Sequence, residues 1–383
     1  MGKRLISIVI GVCLVLSALN AQTWGKSKRL TWNAGNSKDA ELVVDSGGKI
    51  HIVWHDSSLG NSEIYYNKST NSGAGWVGSK RLTWNGETST SPAIAVDSSD
   101  TIHVTWRDDS PGNGEIYYMK STNGGTAWSG AKRLTWTSEY SNYPSIAVDS
   151  SNTLHILWAD YTPGNWEIYH KKSTDGGQSW SGAKRLTWNL AESTGPAIGI
   201  DTSDHIHAVW YDRTTGNHEI YYRRSTDGGV NWSGTKRLTW NSGNSVSPSI
   251  TIDSADTIHI VWHDRTSGNY EILYRKSADG GVNWSATKRL TWNPGNSYSP
   301  RIGVDSSDRL HVVWYDGSPG DMEIFYKKST NGGSSWGGSQ RLTWNPGGSY
   351  HPAVALDSSS NIHIVWDDLT PGNNEVYYNK GTQ

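Results

Sequence analysis

Residues 173–180 read STDGGQSW. The chain comes back to STDGGVNW at 225–232 and to SADGGVNW at 277–284, fifty-two positions later each time. An octamer that recurs at a fixed interval marks a repeated structural unit, so the period matters before any local reading. The string RLTW sets that period. It begins at Arg29, Arg81, Arg133, Arg185, Arg237, Arg289 and Arg341, always 52 residues apart. Seven such units fill residues 22–383 to within two residues and leave no room for a separate domain. The tryptophans obey the same period. Of the 22, all but Trp166 fall into three columns that begin at Trp24, Trp32 and Trp54.

Each unit reads as four short strands. In the second, SPAIAVD (91–97) is the first strand, closed by the turn Ser98-Ser99-Asp100. TIHVTW (101–106) alternates apolar residues with β-branched content and is the second. Pro111-Gly112-Asn113, in the loop from Asp108 to Gly114, is a turn signal. EIYYMKS (115–121) supplies the third strand and KRLTW (132–136) the fourth. No helical period occurs after residue 21. Four-stranded units of about 40–50 residues, repeated four to eight times, describe a β-propeller. The expected fold is therefore all-β with seven blades. An open array would leave sheet edges bare. The last unit stops after Glu375-Val376-Tyr377-Tyr378 with no fourth strand, while Trp24 to Trp32 form a fourth strand with no first three. The N-terminal strand is expected to complete the last blade and close the ring.

The octamer resembles the Asp-box, or BNR repeat, of the sialidase superfamily. Ser173-Thr174-Asp175-Gly176-Gly177-Gln178-Ser179-Trp180 carries the pattern. So do Ser225, Asp227, Gly229 and Trp232 in the next unit and Ser277, Asp279, Gly281 and Trp284 in the one after. Ser121–Trp128 and Ser329–Trp336 have Asn in place of Asp, and Ser69–Trp76 is degenerate, with Asn71 and Ser72. The resemblance implies a hairpin between the third and fourth strands, on the face away from any catalytic site. Turn chemistry points the same way: Asp and Ser oxygens accept backbone N–H groups, the glycines permit positive φ, and the tryptophan packs under the blade. The boxes are thus expected to be structural. One carboxylate per turn is a poor calcium site.

Strand order separates two faces. The first-to-second turns and the boxes share one, and both are nearly uniform from unit to unit. The second-to-third loops and the inter-blade connections share the other, where three columns vary. After the strand-two tryptophan come His55, Arg107, Ala159, Tyr211, His263, Tyr315 and Asp367. Before the strand-three glutamate come Ser62, Gly114, Trp166, His218, Tyr270, Met322 and Asn374. Entering strand one are Asp39, Ser91, Tyr143, Gly195, Ser247, Ser299 and His351. Tyr, His, Trp and Arg stack on and hydrogen-bond to sugars or peptides. The candidate ligand-binding residues are accordingly His55, Arg107, Tyr143, Trp166, Tyr211, His218, His263, Tyr270, Tyr315 and His351. Free drift of exposed loop tips is the alternative. Two acidic columns do not vary: Asp56 and Glu63 in the first unit and their six counterparts. They, and the histidines of the I-H-x-x-W strand (His51 onward), are expected to brace loops and strands.

The function classes follow from asymmetry. A sialidase-like glycoside hydrolase needs an arginine cluster for a substrate carboxylate and distinct acid, base and nucleophile groups. Arg107, Arg213, Arg265 and Arg301, with Tyr211 and Tyr315, are the residues from which such a site would be built. No Arg-Ile-Pro segment of the family type occurs near the start, and the units carry no insertions. Seven near-equal blades favour a non-catalytic binder, where weak sites add by avidity. A protein-interaction scaffold is the third reading.

Lys3 and Arg4 precede the apolar run LISIVIGVCLVLSAL, and Ala21 is a small residue at a cleavage point. Residues 1–21 therefore read as a secretory signal peptide and 22–383 as a single propeller, secreted to the periplasm or the exterior. An uncleaved anchor is the alternative. Cys13 is the one cysteine and leaves with the signal. The remaining chain has neither disulfide nor thiolate metal site. It also has 32 basic against 36 acidic residues, no footprint for nucleic acid or a membrane surface. The expected partner is a glycan or another extracellular ligand. No cofactor, metal or membrane span is expected, and the molecule is expected to be a monomer.

Overall fold

The computed structural model describes residues 22–382, so the expected signal peptide lies outside the described residues. The chain opens with two strand fragments, β1 (Thr23–Trp24) and β2 (Lys28–Arg29). Blade 1 follows as β3 (Ser37–Val44), β4 (Ile50–Asp56), β5 (Glu63–Ser69) and β6 (Lys80–Arg81). The pattern repeats to blade 7, which holds β27 (Ser349–Leu356), β28 (Ile362–Asp368) and β29 (Glu375–Thr382). There are seven antiparallel sheets, and blade 7 is completed from the other end of the chain. Thr23 pairs with Thr382, Trp24 with Gly381, Lys28 with Tyr378 and Arg29 with Tyr377. The ring closes as expected. Among the described residues no helix is long and apolar enough to cross a membrane.

Two strands differ from their expected extent. In blade 2 the fourth strand is Lys132–Arg133 rather than 132–136. Leu134 N still donates to Ile116 O at 2.7 Å, but Ile116 N then donates to the Thr135 hydroxyl at 2.8 Å. A side chain has replaced the backbone acceptor, and the ladder ends there. The first strand begins at Ser89, two residues before the expected start. Its register slips between Thr90 and Ala93, where Ser91 has φ 51°. The residues expected to enter strand one thus sit inside it, at a bulge.

The core lies between blades. Val53, Ile64 and Tyr66 of blade 1 pack on Ile94, Ile102, Val104 and Trp106 of blade 2, and the other blade pairs repeat the arrangement. Trp54 and its six counterparts are fully buried. Each removes about 150–250 Å² from water, roughly 4–6 kcal/mol gross at 25 cal/mol per Å².

The boxes join blades rather than only shaping turns. Gly177 N donates to Ser173 Oγ at 2.8 Å, and Ser179 N to Asp175 Oδ1 at 2.8 Å. Trp180 is half-buried and meets the ring of Tyr118, on the preceding blade, edge-on at 5.2 Å. It packs against a cluster that joins Leu154, Ile156 and Trp158 of its own blade to Ile116, Tyr118 and Leu134 of the preceding one, so the expected packing also spans the junction. The Tyr118 hydroxyl is 2.8 Å from His103 Nδ1, and His103 Nε2 is 3.2 Å from Asp97. Gly177 has φ +86°, and a Cβ there would collide with that hydroxyl. Analogous links recur around the ring, with His170 in place of the tyrosine in blade 3.

The acidic columns are braces. Arg29 meets Glu375 at 2.8 Å across the closure, and Arg81 meets Glu63 at 2.7 Å. Asp56 Oδ2 accepts from Ser37 Oγ at 2.6 Å and Oδ1 from Ser58 N at 2.9 Å.

Burial lowers the pKa of His51, His103, His155, His207, His259, His311 and His363. The unfolded chain, with histidines near 6.5, takes up these protons before the folded one does. Their contribution is therefore complete above about pH 6.5 and is lost as pH falls, by up to about 1.4 kcal/mol per pH unit for each proton of difference. The thermal midpoint, followed by calorimetry, is expected to be level from pH 8 to 7 and to drop steeply below about 6.5; a midpoint unchanged down to pH 5 would contradict the linkage. Gly177→Ala adds both a strained φ and a clash, so a loss of about 2 kcal/mol or more is expected in denaturant titration. Gly182→Ala, where open space surrounds the new methyl, serves as the near-neutral control.

Candidate functional site

The bulge column forms the inner rim of a bowl on the loop face. Its seven residues have φ between 45° and 59°. In six of the seven blades the next residue is proline, with Ala40 the exception. Bulge residues and prolines line a central cavity of about 570 Å³. Positive φ is unusual for Tyr143 and His351 and is held by the surrounding sheet. At Gly195 a Cβ would meet the ring of Tyr211, so this blade exchanges a bulge side chain for a larger one from strand two.

Blades 5 to 7 carry a continuous arc of rings on this face. His263 contacts Tyr270 at 5.1 Å and Tyr298 at 5.4 Å between centroids. Tyr270 and Tyr298 are 5.0 Å apart, and Tyr298 reaches Tyr315 at 5.4 Å. Tyr315 reaches Tyr350 at 5.5 Å and His351 at 5.8 Å. Burial lowers the His263 pKa to about 4, so the ring is neutral at physiological pH. Its Nδ1 accepts from Ser299 N at 3.3 Å.

The remaining candidates form separate groups. Tyr211 lies edge-on to His218 at 5.3 Å, and His218 Nε2 is 2.8 Å from Glu192. Burial raises the Tyr211 pKa to about 12. Trp166 meets Tyr161 at 5.3 Å, and Tyr143 stands exposed at the cavity mouth. The four arginines do not converge. Arg107 pairs with Asp109 at 2.9 Å and lies over Tyr140. Arg213 and Arg265 turn back on their own loops, to Gly216 O and Gly268 O, and Arg265 also caps Tyr270. Arg301 alone of the four lines the cavity, paired with Glu41 at 3.0 Å.

At the seam between blades 7 and 1, His351 Nδ1 is 2.9 Å from Asp367 Oδ1 and 3.5 Å from Asp39 Oδ1. His55 Nδ1 is 3.6 Å from Asp39 Oδ2. Burial works against a charged His351, but the hydrogen bond and charge of Asp367 outweigh it and hold the imidazole above its ordinary value. Burial pushes the Asp367 carboxyl up and the His55 imidazole down.

A second feature sits on the outer flank. Trp32 and its six counterparts, from the RLTW motif, are 62–70% exposed. In each, the motif's arginine lies 5.7–5.9 Å from the ring centroid. Around Trp136 a shallow groove of about 360 Å³ also takes in Lys171 and Trp180.

Sequence reasoning singled out His263, Tyr270, Tyr315 and His351 but missed Tyr298 and Tyr350, which join them. The signal was present one position earlier, in the column Lys38, Thr90, Asn142, Thr194, Val246, Tyr298 and Tyr350. Asp39, Asp367 and Glu41 were also passed over. Which blades would bring unlike residues together at a seam requires coordinates.

No curated protein matches the chain significantly. Among solved structures it is similar to an ulvan lyase of a polysaccharide lyase family, bound to -[GlcA(1-4)Rha3S]-. The identity is 10%, covering 94% of this chain and 95% of that one, with a TM-score of 0.66. An α-L-arabinofuranosidase from Fusarium graminearum is 15% identical over 77% of this chain and 93% of the other, at 0.58. A Hadza microbial sialidase is 15% identical over 74% and 64%, at 0.54. At these identities the likeness speaks to the fold alone. The family model for the BNR repeat-like domain matches residues 115–364, and that for a BNR repeat-containing family member matches 19–189. With boxes in six of its seven blades and this match over most of its length, the chain belongs to the BNR repeat-like family.

Proposed function

We propose that this chain is an exported carbohydrate-binding propeller that holds an oligosaccharide in the loop-face bowl and does not transform it. One observation carries the reading: the arc of rings that starts at Tyr270 ends at His351, which lines a cavity of about 570 Å³ whose wall also bears Tyr143, Tyr211, Arg301, Glu41 and Asp39. Sugar rings offer C–H faces to aromatic side chains and hydroxyls to carboxylates and guanidinium groups. A concave site of this size lies within the range of small-ligand pockets, about 300–1,000 Å³. The neighbours named as a polysaccharide lyase, an arabinofuranosidase and a sialidase support a saccharide as ligand class by analogy. The non-catalytic part is supported by the dispersal of Arg107, Arg213 and Arg265 and by the engagement of both acidic columns as braces. The exposed tryptophans favour a second placement for the same function, in which seven equivalent weak sites on the flank add by avidity.

A glycan array followed by calorimetric titration of the best ligand tests the proposal. One glycan per chain is expected, with affinity reduced about tenfold or more by Tyr298→Ala or Tyr315→Ala, about 1.4 kcal/mol each. A stoichiometry near seven that responds to Trp136→Ala would move the site to the flank. Silence across neutral, uronate-containing, sulfated and sialylated glycans would sink the reading. Appearance of reducing or unsaturated sugar during incubation would replace the binder by an enzyme. Export is checked by N-terminal sequencing of the product outside the cytoplasm, with Gln22 expected as the first residue.

A further inference from the structure

The seam between blades 7 and 1 brings two carboxylates and one imidazole to one point of the bowl wall, with the imidazole of His55 beside the outer oxygen of Asp39. The ligand atoms of Asp39, His351 and Asp367 all lie within 4.8 Å of one another, and His55 Nδ1 is 3.6 Å from the far oxygen of Asp39. Two of the separations, 3.5 Å from His351 to Asp39 and 3.6 Å from His55 to Asp39, are too long for hydrogen bonds. An ion pair between a free carboxylate and imidazolium would close to about 2.8 Å. Ligands about 2.0–2.1 Å from one ion at the tetrahedral angle stand roughly 3.3 Å apart. The two spacings at Asp39 are close to those of a coordination shell, while the 2.9 Å from His351 Nδ1 to Asp367 Oδ1 is a hydrogen bond that a bound ion would replace.

A second observation is independent of these distances. His55 Nδ1 is buried and makes no hydrogen bond, in a side chain only 12% exposed. A buried nitrogen without a partner is destabilising by about 1–3 kcal/mol. The group it faces is the Asp39 carboxylate, which also faces His351. Asp367 is buried behind His351, whereas Asp39 and His351 are 43% exposed toward the bowl. One end of the cluster is therefore anchored and the other open.

We propose that Asp39, His55, His351 and Asp367 bind one divalent transition-metal ion, with Zn²⁺ the best match to two imidazole nitrogens and two carboxylate oxygens. The ion's double charge balances the two carboxylates that share the site and gives the His55 nitrogen its missing partner. Among the described residues such a cluster occurs at this seam alone: the equivalent bulge and strand-two positions of blades 2 and 3, for example, are Ser91, Arg107, Tyr143 and Ala159. The site stands whether or not the bowl takes a sugar.

Titration of ZnCl₂ into chelator-treated protein, with the bound metal counted by plasma mass spectrometry after dialysis, tests it. One ion per chain is expected. His351→Ala and His55→Gln should each weaken binding about tenfold or more, and zinc should raise the thermal midpoint of the parent but not of the double variant. His205→Gln, which alters a half-buried imidazole beside Asp201, should leave binding unchanged. If His351→Ala fails to fold by circular dichroism, Asp39→Asn replaces it with the same expected loss. Absence of zinc uptake, zinc uptake that survives the double variant, or tighter binding of Mg²⁺ or Ca²⁺ than of Zn²⁺ would each overturn the proposal.

Discussion

The ring depends on one close approach. The second glycine of each box lies so near the preceding blade's strand-three side chain that no Cβ fits between them. A single four-stranded sheet cannot cover both of its faces, so a blade has no independent core. Its tryptophan and isoleucine layers are buried only when the next blade is seated. The glycine sets how near the blades come, the tyrosine hydroxyl ties that contact to a buried histidine, and the histidine ties it to the turn carboxylate. Hydrogen bonds and packing thus converge on the same few atoms at six of the seven junctions, and at the remaining one Trp24 meets Tyr326 at 5.0 Å.

That constraint explains why so much of the fold was legible. A contact made at six of the seven blade junctions leaves a residue pattern repeated six times, and the boxes, with RLTW and the strand-two tryptophans repeated seven times, gave blade number, strand order and closure. The errors came where a side chain does the work of a backbone. Thr135 ends a strand that reads as continuing, and the bulge at Ser91 hides inside a strand that reads as starting later. The expected packing of the box tryptophan is half of its role, because it also meets a ring of the preceding repeat and sequence spacing shows only its own.

The bowl was legible in part. Variation among the three loop columns marked the correct face, and His263, Tyr270, Tyr315 and His351 do come together. What adjacency adds is chemistry between repeats. Tyr298 and Tyr350 belong to a column that is otherwise polar or aliphatic, and they acquire meaning only beside their neighbours. Asp39 and Asp367 stand at opposite ends of the chain, and only closure of the ring places them across one imidazole. The uniform face maintains the scaffold, while the other accommodates an aromatic arc, isolated polar pairs and a charged seam on the same backbone.

Closure within a single blade has a consequence for how the order of the repeats can be rearranged. The Thr23 and Thr382 hydroxyls are 2.8 Å apart, so in a chain trimmed to the described residues 22–382 a short peptide would join these two positions. The chain could then be cut in any exposed second-to-third loop, such as the one at Gly320, around which a side chain would meet open space. Circularly permuted forms should preserve the same neighbours in the same sequence around the axis, because the circle itself has no first blade.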